Sequence, residues 1–373
     1  MTRKIALMKQ TRKLCAGDWV EVRSKAEILA TLDKRGQLEG LPFMPEMFQY
    51  CGQRLRIYKR AHKTCDPPNG LSGRRMESAV HLENIRCDGS AHAGCQAGCL
   101  IFWKEAWLKQ VDPDVEKPSA NAAAVPALSV QASALNGRCS EADVLAGTRA
   151  QGEPANAPDP TYVCQSTQVA AATKPLRWWD PRQYVEDYLS GNVRLSQMIG
   201  SFLFFIYHHL AGAGLGFGSA LRWAYDVFQK VRGGTPYPWR MGQVPKGVRT
   251  PSVKLGLQEG EQVRVKSYPE ILQTLDENWN NRGMYFDAEA VPFCNGTFRV
   301  LKRVEKIIDE KTGKILRFKN EAIILDDVVC LARYAKCRKF CPRSIYPYWR
   351  EIWLERAASE PKGNPQTEPS TRG

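Results

Sequence analysis

Several hallmarks of common functional classes are missing from this chain. Residues 1–13 are cationic but hold neither the apolar core nor the small-residue cleavage site of a secretory signal, so a cytosolic compartment is expected. The apolar run from Met198 to Tyr207 is too short to cross a bilayer before His208-His209 interrupts it, although counting on to Leu221 reaches the required length. Residues 212–218 read Gly-Ala-Gly-Leu-Gly-Phe-Gly, but they follow no predicted strand and lack a Gly-Lys-Ser/Thr ending, which argues against a phosphate-binding loop. No module is strongly basic either. The net charge of +14 is spread as +3 over 17–109, +2 over 110–259 and +4 over 260–356, and only the arm 1–16, at +5, is concentrated.

Cysteine, by contrast, is plentiful and patterned. In a reducing compartment twelve cysteines with clustered spacing read as metal ligands rather than as a disulfide framework. Eight of them recur. Cys87, Cys95 and Cys99 are preceded by Cys51, and Cys330, Cys337 and Cys341 are preceded by Cys294, each upstream partner standing 36 residues before its cluster. Cys15, Cys65, Cys139 and Cys164 have no counterpart in the other copy and read as buried or idle thiols.

The rest of the chain repeats with the cysteines. Gly17-Asp-Trp-Val-Glu-Val-Arg-Ser and Gly260-Glu-Gln-Val-Arg-Val-Lys-Ser align at an offset of 243 residues, which also carries Glu46 onto Glu289 and Arg56 and Arg60 onto Arg299 and Arg303. A match of this length is an internal duplication. Val20 and Val22, like Val263 and Val265, alternate with polar residues as in a half-buried strand. Ser24-x-x-Glu27 and Ser267-x-x-Glu270 are capping boxes that open a short helix. Alternating runs after Cys51 and Cys294 predict further strands, and Asp309 to Gly313 predicts a hairpin tip with Asp66 to Gly70 in the equivalent place.

The organisation that follows is a basic arm (1–16), module 1 (17–111), an Ala/Pro/Ser-rich insert expected to be disordered (112–177), a helical segment (178–234), a linker (235–259), module 2 (260–356) and a disordered tail (357–373). The fold class expected is α+β: two homologous, mainly-β modules, each with a four-cysteine metal site and a C-terminal helix. Residues 195–231 are read as a buried or partner-facing helical hairpin, with an interfacial membrane helix and a true span as the alternatives.

The expected ligand sets are Cys51, Cys87, Cys95 and Cys99 in one module and Cys294, Cys330, Cys337 and Cys341 in the other. A structural zinc site takes four thiolates or imidazoles in a tetrahedron, and turns and strand ends can converge on one. Zinc at two sites is the primary expectation. Iron–sulfur clusters are the alternative, since all-cysteine ligation suits both metals, and merely buried or redox-active thiols are a third. His92 has no equivalent in the second cluster and reads as outside the ligand set.

Trp103-Lys-Glu-Ala-Trp107-Leu and Trp349-Arg-Glu-Ile-Trp353-Leu place paired tryptophans at i, i+4, which predicts a closing helix, or a tryptophan face for a partner. Arg54, Arg56 and Arg60, with Arg299 and Arg303, share a strand face by alternation and form a modest basic stripe that could meet a polyanion. Nothing places a nucleophile or an acid beside Glu46 or Glu289, so catalysis is not expected there.

The openings of the two copies resemble the first strand of SH3-like barrels of the KOW type, over about ten residues in each copy. That resemblance implies binding to RNA, ribosomes or transcription complexes, although this chain inserts a helix where the family continues into a second strand. The expected function is a non-catalytic, metal-binding adaptor for a protein or nucleic-acid partner. An iron–sulfur enzyme or electron carrier, and a membrane-peripheral assembly factor, are the competing readings.

Overall fold

The computed structural model describes residues 13–67, 72–111, 139–154, 156–214, 216–335 and 337–357. Residues 68–70 of the tip expected at Asp66 to Gly70, most of the basic arm and nearly all of the tail lie outside these residues. The architecture is α+β, built from small antiparallel sheets and short helices. The chain divides into two compact units: Met1–Val227 with Lys306–Arg317 and Val329–Tyr346, and Phe228–Glu305 with Phe318–Val328 and Pro347–Gly373. The segment carrying Cys330, Cys337 and Cys341 therefore belongs to the first unit.

The first unit is organised by a five-stranded antiparallel sheet in the order Trp103–Lys104, Ala79–Leu82, Arg54–Arg60, Trp19–Val22, Leu108–Gln110. Val20 pairs with Leu55 on one side and Gln110 on the other, and both Val20 and Val22 are fully buried, as the alternation predicts. The capping box also forms. Ser24 N–H donates to Glu27 Oε2 at 3.0 Å, and the Glu27 amide donates back to Ser24 Oγ at 3.4 Å.

The sheet's two edge strands are consecutive in the chain, joined only by the 3-10 turn Glu105–Trp107. A three-residue link between opposite edges requires the sheet to roll on itself. This corrects the expected closing helix: the Trp-Lys-Glu-Ala-Trp-Leu segment is strand, turn, strand. A six-residue stretch with no side-chain cap cannot nucleate a helix when both of its ends have a strand to pair with. Trp103 and Trp107 are fully buried inside the roll. Phe43 packs edge-on against Trp107 with ring centroids 5.1 Å apart, and Trp107 Nε1 donates to Thr31 Oγ1 at 3.1 Å.

The second unit holds a four-stranded sheet, Ile323–Leu325, Thr297–Arg303, Gln262–Val265, Leu354–Arg356. Gln262 pairs with Arg299 and Val263 with Phe298, which are the pairs Trp19–Arg56 and Val20–Leu55 shifted by the 243-residue offset. Glu351–Trp353 forms the corresponding 3-10 turn, Phe286 packs on Trp353 at 5.1 Å, and Trp353 Nε1 donates to Thr274 Oγ1 at 2.9 Å. Trp349 and Trp353 are buried, so neither tryptophan pair offers a face to a partner.

The insert expected to be disordered is ordered over its described part, residues 139–177 save Ala155, while 112–138 lie outside the described residues. Ser140 and Asp143 cap the helix Glu141–Ala146, whose Val144 is buried in the sheet's core. Further on, the buried amide of Gln165 donates to Pro42 O at 3.0 Å and Phe102 O at 2.9 Å and accepts from Phe102 N–H at 2.8 Å. One fully satisfied glutamine stitches residues 164–166 to the rolled sheet. The helical segment resolves into Arg182–Leu189, Leu195–Gly212 and Gly218–Val231. Among the described residues no helix is long and apolar enough to cross a membrane.

Candidate metal centre

The loop from Cys87 to Cys99 curls back on itself. Cys87 N–H donates to Cys99 O at 2.8 Å, and His92 and Gly94 N–H both reach Gly89 O at 2.9 Å. Gly89 has φ +74°, and an added Cβ would stand 2.1 Å from the Cys95 carbonyl oxygen, so this turn admits only glycine. The turn swings Cys95 and Cys99 towards Cys87. Residues 164–166, held by Gln165, close the other side.

The result is a cavity of about 40 Å³ whose lining includes Cys87, His92, Cys95, Cys99, Cys164 and Glu310. Four cysteines and a histidine are among the residues lining a space that admits an ion or a water and is far below the roughly 300 Å³ of an organic-substrate pocket. Donors are aimed at two of the sulfurs: Ser166 Oγ–H reaches Cys99 Sγ, and Ile308 N–H reaches Cys95 Sγ, each at 3.3 Å. Such donors favour the thiolate.

The charges present favour the thiol instead. Burial pushes Cys87 up, and the Glu46 carboxylate and Cys99 push it further. Burial also raises Cys99, opposed by Arg343, and carries Cys164 up to about 12, with Cys99 and Cys95 adding to the shift. Cys99 and Cys95 thus add to the effect of burial on the thiols around them, and a divalent cation is the change that would favour their ionisation.

Beside the cavity lies a tighter group. The ligand atoms of Glu46, Cys87 and His92 all fall within 4.8 Å of one another, the one group of three or more possible ligand residues so gathered among the described residues. Cys87 Sγ–H donates to Glu46 Oε1 at 3.1 Å, His92 Nε2 lies 3.1 Å from Val163 O, and His92 Nδ1 faces Glu46 Oε1 at 3.4 Å without a hydrogen bond. Glu46 Oε2 and His92 Nδ1 are both buried without a partner. Unsatisfied buried polar atoms beside a ring of thiols mark a place where a proton or an ion rearranges the bonding.

Among the described residues the sulfurs of neither expected four-cysteine group all lie within 4.8 Å of one another, and the same holds for Cys87, Cys95, Cys99 and Cys164. Cys51 caps the 3-10 turn Pro45–Tyr50 and packs on the rolled sheet's core, where burial raises its thiol and the charged neighbours are Lys25 and Glu141. Cys294 belongs to the second unit, where burial alone carries it up to about 12, while Cys330, Cys337 and Cys341 belong to the first. The fourth thiol at the Cys87, Cys95, Cys99 cluster is Cys164 from the insert. Having no counterpart in the other copy, it gave no repeat signal. His92, inside the cluster, and Glu46, matched in both copies, were the legible pointers to the adjoining group.

The basic stripe is largely neutralised within each unit. The strand Arg54–Arg60 bulges between Ile57 and Lys59, which breaks the alternation and turns Arg60 inward. There, 5% exposed, it binds Glu105 at 2.6 Å, Glu186 at 3.2 Å and Leu14 O at 2.9 Å. Arg54 faces Glu21 at 3.9 Å, Arg56 faces Glu83 at 3.7 Å, and Arg303 binds the buried Glu351 at 2.6 Å; Arg299 is exposed. Comparison with protein-family models, with curated proteins and with solved structures finds no match to this chain.

Proposed function

We propose that this chain is a non-catalytic, zinc-stapled adaptor of two homologous β modules that engages a protein partner. The carrying observation is the cavity of about 40 Å³ ringed by Cys87, Cys95, Cys99 and Cys164, with room for an ion and none for an organic substrate. In this reading those four cysteines are the ligands. Glu46 and His92 would support the site from behind, and Cys87 would have to give up the proton it now donates to Glu46 in order to ligate. The equal offset of the strand pairs in the two sheets supports the duplicated design.

A protein partner is favoured over the alternatives by the helix Leu195–Gly212. Leu195, Ile199, Leu203, Ile206 and Leu210 recur every three or four residues along it and are 51–62% exposed. The helix contains no Lys, Arg, Asp or Glu, so it lacks the cationic flank with which a surface helix meets anionic lipid. The arginines proposed for a polyanion are mostly held by carboxylates. Metal analysis of the purified chain tests the reading: bound zinc that falls by one equivalent in Cys164→Ser supports it. Colourless protein without metal sinks it, and brown protein containing iron and sulfide replaces it with the iron–sulfur alternative, which the all-sulfur lining also suits.

A further inference from the structure

A second set of thiols lies in the same unit. Cys65, in the buried strand Lys63–Asp66, packs with Ala332 and Cys341, and Cys330 and Ile345 pack against them. Cys65 and Cys341 are buried in one packed cluster, 3% and 6% exposed. Metal-bound thiolates would sit at the corners of a tetrahedron with Zn–S bonds of about 2.3 Å. Cys330 and Cys341 line one cavity, of about 200 Å³, together with Tyr58, Asn192 and Ser344.

Cys337 is exposed, but its backbone is fixed close by. Cys65 pairs across the sheet with Gly73, and a Cβ added to Gly73 would stand 2.9 Å from the Cys337 carbonyl oxygen. The missing side chain at Gly73 lets the Cys337 backbone rest on the strand next to Cys65. The loop itself is pinned by Cys330 N–H to Ile345 O, Phe340 N–H to Ala332 O and Cys341 N–H to Arg338 O, at 2.8, 2.8 and 3.0 Å. Four thiolates around a divalent cation carry a net charge of −2, and two cations face these sulfurs: Arg343, 2% exposed, acts on Cys65 and Cys341, and Arg338, 8% exposed, acts on Cys65.

We infer that Cys65, Cys330, Cys337 and Cys341 form a second divalent-metal centre, with Cys65 rather than Cys294 as the remote ligand. The inference rests on the reading of the chain as a thiolate metal-binding protein. Both centres then share one plan: three cysteines from a duplicated cluster, and one from a distant segment that carries no repeat signal. The second centre would tie the strand Lys63–Asp66 to the segment Val329–Tyr346, more than 260 residues away along the chain.

The test uses the full chain, purified anaerobically, with zinc counted per chain and Co²⁺ substituted as a spectroscopic probe. The wild type is expected to hold two metals, Cys65→Ser and Cys164→Ser one each, and Cys294→Ser two. Because Cys65→Ser removes a buried group and can unfold the region, Cys337→Ser is the second variant. It is expected to keep the fold and both metals while the Co²⁺ thiolate charge-transfer band loses about one thiolate in eight, against about four in eight when a whole site is lost. Retention of both metals and an unchanged Co²⁺ spectrum in Cys65→Ser and Cys337→Ser overturns the inference while leaving the first centre standing, and so does a Cys65–Cys341 disulfide in the wild type as isolated. Full metal content in Cys164→Ser overturns the first centre instead.

Discussion

Arg343 is the residue whose replacement probes both thiol groups of the first unit at once. Its side chain is 2% exposed, and its guanidinium binds Glu310 at 2.6 and 3.3 Å, Ser166 Oγ at 2.9 Å and Cys65 O at 3.3 Å. Burial works against the cation, but Glu310 and the neighbouring thiols hold its protonation above the ordinary arginine value. Arg343→Met keeps most of the volume and removes the charge. Glu310 then lines the cavity as an uncompensated carboxylate, a loss that costs roughly 3–5 kcal/mol when both charges are buried. Because Glu310 is 22% exposed and water can reach it, the expected cost lies near the lower end, about 3 kcal/mol. At about 1.4 kcal/mol per factor of ten, hydrogen-exchange protection of residues 329–346 should fall about a hundredfold in the chelated protein. The double variant Arg343→Met/Glu310→Gln should recover most of that protection, since no lone charge is left. A fall of less than threefold in the single variant, or no recovery in the double, refutes the claim that this ion pair organises the region.

Two further outcomes follow from the second unit and the helical segment. Glu351 is fully buried: burial opposes its ionisation, but Arg303 and the N–H groups of Leu255, Gly256 and Leu257 outweigh it and hold the carboxyl below the usual range. Its contribution is therefore complete above the unfolded carboxylate value of about 4.3 and is lost as pH falls through the lower folded value. Glu351→Gln should reduce the stability of the second unit by about 2–3 kcal/mol at pH 7 and flatten its acid dependence, as followed by urea unfolding with tryptophan fluorescence; equal acid dependence in the two proteins counts against the assignment. Ile206→Lys, at a site 56% exposed, should change stability by no more than about 0.5 kcal/mol and abolish photo-crosslinking to a partner from position 203; undiminished crosslinking shows that the apolar stripe is not the docking face.

The local features of the fold were legible in the sequence, and the features set by distant pairing were not. Val20, Val22 and the Ser24 capping box behave as their spacing predicts, because strand alternation and helix capping depend on near neighbours. The tryptophan segments deceived because i, i+4 spacing is shared by a helix and by a strand, turn, strand path. Only the availability of sheet partners at both ends decides between them, and that is a tertiary fact. Arg60 turned inward for a similar reason, since a bulge in the pairing with Ala79–Leu82 is invisible in the strand's own alternation. The cysteine clusters were found by repetition, and that same signal hid Cys65 and Cys164. Each comes from a segment that only the folded chain brings to its cluster, Cys65 by the strand Lys63–Asp66 and Cys164 by the Gln165 stitch. Cys51 and Cys294 each follow a 3-10 turn, Pro45–Tyr50 and Ala288–Phe293, and such a matched turn repeats in sequence as faithfully as a ligand does.

Metal binding by the sulfurs of the first unit is read out by X-ray absorption at the zinc edge of the full chain as purified. Two zinc ions per chain are expected, with sulfur alone around each at about 2.3 Å. A first shell containing nitrogen or oxygen ligands, or a chain that folds and keeps its hydrogen-exchange protection with no metal bound, would contradict it.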